Sequence, residues 1–169
     1  MGRLFLMILA AAALPAPAAA IAATAHRAAQ ARGVDDPRAF VAQRFASYRS
    51  GGNHVPPDPV GAYSPRLAAL FATYSAWQRR HPDEVGTLDF DWWINAQDWE
   101  LSGIAVTAAD SGPASRIVTA RWRNGDRADS SRFLFVRVAG RWYLDDVVNG
   151  SGNGDDGWTL STVLAHPQQ

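Results

Sequence analysis

The chain has 169 residues, 47% of them hydrophobic, with sixteen basic and sixteen acidic residues. It contains no cysteine, which excludes disulfides, thiolate nucleophiles and cysteine-based metal sites. Every basic residue is arginine, so lysine Schiff-base chemistry is excluded, and the balanced charge lacks the basic excess that nucleic-acid binding needs.

In chain order, Met1-Gly2-Arg3 precedes an apolar run over residues 4–9 and an Ala/Pro-rich stretch. This is the n-region, h-region and small-residue pattern of a secretory signal peptide over residues 1–25. Ala18-Ala19-Ala20 and Ala23-Thr24-Ala25 fit cleavage equally well. Pro15 and Pro17 interrupt the run, so it does not read as a permanent membrane span. No cysteine follows for a lipid anchor, and no later stretch suits a span. The expectation is export to the periplasm or beyond. Loss of the leader with its Arg3 leaves 15 arginines against 16 acids. Residues 26–36 read as a flexible leader and residues 37–169 as one domain, long enough to bury about two-thirds of its unfolded surface.

Asp36 as N-cap and Pro37 in the first turn predict a helix that carries Phe40, Val41, Phe45 and Tyr48 on one face and stops at Ser50-Gly51-Gly52. Residues 51–63 are Gly/Pro-rich and predict a loop. Ser64-Pro65 starts a second helix, with Leu67, Leu70, Phe71, Tyr74 and Trp77 on its apolar face. Arg79, Arg80 and His81 favour its C-terminal dipole, and Pro82 ends it.

Residues 88–99, LDFDWWINAQDW, hold three of the seven tryptophans among acids and amides. Two readings stay open: a plug closing one end of the core, or the rim of a ligand or partner site. Four strands follow, over residues 99–107, 116–123, 132–138 and 141–148. Trp99 and Leu101 alternate onto one face and Ile104 and Val106 onto the other, so Ser102-Gly103 predicts a β-bulge. Asn124-Gly125 and Ala139-Gly140 predict tight hairpins. Trp158, Leu160, Val163 and Leu164 suggest a short last helix or docking segment.

With two-residue turns, one sheet face collects Val118, Ala120, Trp122, Phe133, Phe135, Trp142, Leu144 and Asp146. The other collects Ile117, Thr119, Arg121, Arg132, Leu134, Val136, Tyr143, Asp145 and Val147, and should be half exposed. Asp145 is then expected to pair diagonally with Arg132. Asp146, opposite Phe133 on the aromatic face, needs a tryptophan N–H or backbone donor.

The paired helices, tryptophan-rich crossover and antiparallel sheet resemble the cone-shaped nuclear-transport-factor-2-like fold. Residues 91–99, with Ala96-Gln97-Asp98-Trp99, and the later Gly140-Arg141-Trp142-Tyr143-Leu144-Asp145-Asp146-Val147 resemble the bacterial exported family of unknown function numbered 3828, over residues 38–148. The resemblance implies an α+β fold of two N-terminal helices on a curved four-stranded sheet, and export. It supplies no catalytic residue, because cone folds host both enzymes and binding modules.

No triad is legible: His26, His54, His81 and His166 lie outside any recognisable motif. The tail over residues 149–156 is calcium-loop-like in composition, but Leu160 stands where the bidentate glutamate belongs. The expectation is therefore a non-enzymatic exported binding module for a protein or small ligand, immunity- or envelope-associated. Trp92, Trp93, Asn95, Gln97, Asp98 and Asp146 form its site, with no catalytic residue, metal or cofactor. No nucleic-acid partner or membrane span is expected, and a homodimer through the sheet is open. The competing expectation is a cone-fold enzyme, isomerase- or hydrolase-like, using Asp98 and Asp146 as acid and base.

Overall fold

The computed structural model describes residues 32–48, 57–150 and 157–168. The predicted signal peptide, most of the loop after residue 48 and the Gly/Asp-rich tail loop lie outside these residues. The fold is α+β, built on one antiparallel sheet. Helix α1 (Pro37–Tyr48) and α2 (Pro65–Arg80) precede strands β1 (Leu101–Gly112), β2 (Ser115–Asn124), β3 (Arg127–Val138), β4 (Arg141–Asn149) and β5 (Trp158–Thr159), and helix α3 (Leu160–Ala165) closes the chain. The strands run in order β1-β2-β3-β4-β5, so the expected four-stranded sheet has a fifth, two-residue strand. Among the described residues no helix is long and apolar enough to cross a membrane.

The capping residues do what their chemistry predicts. The Asp36 carboxylate accepts from the Arg38 and Ala39 amides at 2.9 and 3.2 Å. Ser64 accepts from the Leu67 amide at 3.1 Å. At the other end of α2, His81 accepts the C-cap position, its N–H bonding to the Trp77 and Gln78 carbonyls while its ring stacks on Trp77.

The register shifts twice along β1 and once at β4, and the shift at β4 has no glycine to mark it. In β1 the register shifts between Ser102 and Ala105, with Gly103 at φ +58°, a conformation glycine adopts without strain. Trp99, Leu101, Ile104 and Val106 thereby all pack against the core. In the β3–β4 pair Phe135 faces Leu144, but Leu134 faces Asp146, which leaves Asp145 as the extra residue. This corrects the expected face assignment. Val147, not Asp146, lies opposite Phe133 and is fully buried among the aromatics.

The bulge also re-aims both acids toward the helices. Asp145 pairs with Arg66 at 2.9 Å and accepts from the Ser64 hydroxyl at 2.6 Å, rather than pairing with Arg132. The hydrogen bonds that the Arg66 guanidinium donates to Asp145 push it further above its already high pKa. Asp146 accepts from its neighbour Val147 N, from Ser161 N and Oγ, and from Arg66 Nη2. Backbone donors are thus among its partners, as expected, and a tryptophan N–H is not. Through Ser161 it holds the first turn of α3.

The free edge of β4 is covered in pieces. Val34 exchanges both backbone hydrogen bonds with Trp142, Ser64 N donates to Leu144 O, and β5 pairs with Val148 and Asn149. Residues 32–35, within the stretch that reads as a leader, are therefore built onto the sheet. Glycine is required at position 33: it has φ +55°, and a Cβ there would meet Trp142 O at 2.8 Å. Helices and tryptophan segment together cover the aromatic sheet face. Its centre is Phe45, Trp93, Ile94, Phe133, Phe135 and Leu144, all at most 1% exposed.

Candidate functional site

The tryptophan segment is a tight reversal. Asp91 and Ala96 exchange backbone bonds across residues 92–95, and Asn95 turns the chain at φ +53°. The Asp91 carboxylate fixes the turn by accepting from Trp93 N at 2.9 Å. This drives Trp92, Trp93 and Ile94 inward. Trp93 stacks on Phe133 at 5.0 Å and on Trp92 at 4.6 Å, while Trp92 reaches toward Tyr63 and Phe71. The segment is thus a core plug, and its outer surface is also one wall of an open cleft.

That cleft has a volume of about 640 Å³ and is lined by residues 88–93, Gln97, Arg44 from α1 and Asp58. Of the predicted site residues, Trp92, Trp93 and Gln97 meet here. The other three do not. Asn95 points away into a buried polar cluster, described below. Asp98 is exposed, and its carbonyl accepts from the Asn124 side chain beside the β2–β3 turn. Asp146 is occupied at α2 and α3. Neither Asp98 nor Asp146, the acid and base of the enzyme expectation, lines this cleft.

Two charged groups in the cleft, Arg44 and Asp58, are not singled out from sequence, and Asp91 is legible only as an acceptor for nearby backbone donors. Arg44 is only 9% exposed, and its guanidinium lies over the Trp93 and Tyr48 rings at 5.0 and 5.4 Å. Its Nη1 donates to Pro57 O at 2.8 Å, and the guanidinium also favours the ionised form of the Tyr48 hydroxyl. Its Nε is buried without a partner, and none of the ion pairs among the described residues includes it. Helical spacing could have found it: position 44 is four residues after Phe40 and beside Phe45, on the apolar face.

Asp91 is half-buried, and that partial burial raises its carboxyl above the ordinary value. The hydrogen bond from the Tyr48 hydroxyl, at 2.6 Å, acts in the opposite direction. Tyr48 and Tyr63 are both held neutral well beyond the usual phenol range. Burial is the larger cause in each; Asp91 adds to it for Tyr48 and Asp58 for Tyr63. Asp58 acts on Tyr63 through its charge, yet the Tyr63 hydroxyl, 4% exposed as a residue, makes no hydrogen bond of ordinary geometry.

A second polar cluster lies on the other side of the reversal. The Asn95 amide donates to Asp129 and Asn149, and its oxygen accepts from Trp158 Nε1 at 2.9 Å. The Asn149 amide in turn donates to Asp129, Ser130 O and Ser131 Oγ. Arg127 pairs with Asp129 at 3.2 Å and donates to Asn95 O. This cluster locks the tryptophan segment to β3, β4 and β5, with its donors and acceptors matched to one another.

In comparisons with known protein families, curated proteins and solved structures, no match to the chain is found.

Proposed function

We propose that the chain is an exported binding module whose cleft takes a small ligand. The observation that carries this reading is the cleft itself. It falls within the size range of small-molecule sites, about 300–1,000 Å³, and joins an apolar wall to a few fixed polar groups. Export is supported by the n-region and h-region at the chain start. Membership of the exported family numbered 3828 and a cone-like curvature of the sheet are part of the same proposal. They are supported by the Ala-Gln-Asp-Trp and Trp-Tyr-Leu-Asp-Asp motifs.

The test is a thermal-shift screen of metabolites against wild type and Gln97→Trp. Gln97 is an exposed cleft residue, so the bulkier ring fills the opening without disturbing the core. A ligand at a hundredfold excess over its Kd stabilises by about 2.7 kcal/mol. The proposal expects shifts in wild type that Gln97→Trp abolishes. Shifts that persist in Gln97→Trp, or a stoichiometric protein partner with no small-molecule hit, would refute the cleft reading.

A second reading rests on one observation: Asp91 lines the cleft with a raised carboxyl pKa, which suits general acid–base catalysis. Against it, both carboxylate oxygens already accept hydrogen bonds, from Tyr48 and Trp93 N. Turnover abolished by Asp91→Asn with binding retained would establish it.

A further inference from the structure

Within the cleft, and resting on its reading as a binding site, the Arg44 guanidinium is the least completed group. A guanidinium carries five N–H donors in one plane. Trp93 and Tyr48 cover its faces, which accounts for its cation–π contacts but not for its in-plane donors. Nη1 donates to Pro57 O, while Nε is buried with no hydrogen-bond partner. A buried cation ordinarily has an anion bonded to it, and here none is in place. The Arg44 charge reaches Asp91 and favours its ionised form, but the two form no ion pair among those of the described residues.

The missing anion would not come alone. Asp58, Asp89 and Asp91 all line the same cleft and would repel an isolated phosphate or sulfate. An isolated cation would meet Arg44. Beside these charges, Leu88, Phe90 and Trp92 offer an apolar wall. We infer that the ligand is amphoteric, an amino acid or short peptide: its carboxylate docks on Arg44, its ammonium faces Asp58 and Asp89, and its hydrocarbon part lies along Phe90 and Trp92. The planar fork of arginine suits a carboxylate because two parallel hydrogen bonds can form at once. The volume of the cleft exceeds what a single small ion needs and accommodates a molecule carrying both charges.

The test is isothermal titration calorimetry of the full mature chain with the proteinogenic L-amino acids and with leucylleucine. The tightest binder is then compared with its decarboxylated and its deaminated analogue. The expected result is that the zwitterion binds and that each analogue binds about tenfold weaker or less, roughly the loss of one charged contact. In Asp58→Asn, an exposed position where folding is not at risk, the deaminated analogue should come within a fewfold of the parent. Arg44→Lys keeps the charge without the fork and should weaken the parent about tenfold. Failure of every zwitterion at millimolar concentration, or an amine that binds as tightly as its parent amino acid, overturns the inference. If the panel fails while the metabolite screen yields a ligand excluded by Gln97→Trp, the cleft reading stands and the amphoteric ligand falls. If both fail, both fall.

Discussion

The tryptophan reversal separates two polar clusters built from the same residue types to opposite ends. On one side, Asn95, Asp129, Asn149, Ser131 and Trp158 satisfy one another, and Arg127 pairs with Asp129 at 3.2 Å. On the other, Arg44 and Tyr63 are as deeply buried, yet Arg44 Nε and the Tyr63 hydroxyl make no hydrogen bond of ordinary geometry among the described residues. A matched cluster specifies the fold. An unmatched one costs stability that the fold does not recover. On the proposed reading, the first serves architecture and the second the ligand.

The largest way to break this contrast is Asp129→Ala. It strands the Asn95 and Asn149 amides together with Arg127, and should cost about 3–5 kcal/mol in urea denaturation. Ligand affinity of the folded fraction should hold. Next is Asp146→Asn, which loses an anionic acceptor for Ser161 and Arg66 and should cost about 1–3 kcal/mol. A loss confined to α3 would show as faster hydrogen exchange at residues 160–165 while β2 and β3 stay protected.

A pH titration of stability comes third. Asp91 holds its proton more tightly folded than unfolded, because burial raises its folded pKa. In the window just above the ordinary carboxylate range the native state therefore binds more protons. Stability from this group is present at lower pH and falls as pH rises through that window. Asp91→Asn should flatten this slope, as read by urea midpoints across the acid range. Tyr48 and Tyr63 act likewise at alkaline pH: the unfolded phenols ionise near their ordinary value while the folded ones do not, so stability falls above it. The smallest effect is Tyr63→Phe. It removes a buried hydroxyl that makes no hydrogen bond of ordinary geometry, and should raise stability by about 1 kcal/mol or less.

Much of the architecture is legible in local chemistry. Asp36-Pro37 and Ser64-Pro65 start the helices, Gly103 marks the first bulge, and Ala139-Gly140 forms the predicted two-residue turn, with φ +49° and +82°. The bulge in β4 is not legible because Asp145 occupies it without a glycine or a break in pattern, and every assignment beyond it shifts by one face. β3 begins at Arg127 rather than Arg132, since Asp129 and Ser131 are polar residues on a buried face and satisfy each other through Asn149. Of the candidate site, the tryptophan wall was legible. Arg44 was not, because a charged helix residue ordinarily faces water; its spacing with Val41, Phe45 and Tyr48 was the overlooked signal.

The stability of Arg44→Met tests most directly whether Arg44 serves the ligand or the fold. Methionine fills the same space against Trp93 and Tyr48 without a charge that wants an anion. Denaturation should show stability within about 1 kcal/mol of wild type or above it, with ligand binding lost. A loss of several kcal/mol, comparable to Asp129→Ala, would place Arg44 among the structural residues and contradict the division between the two clusters.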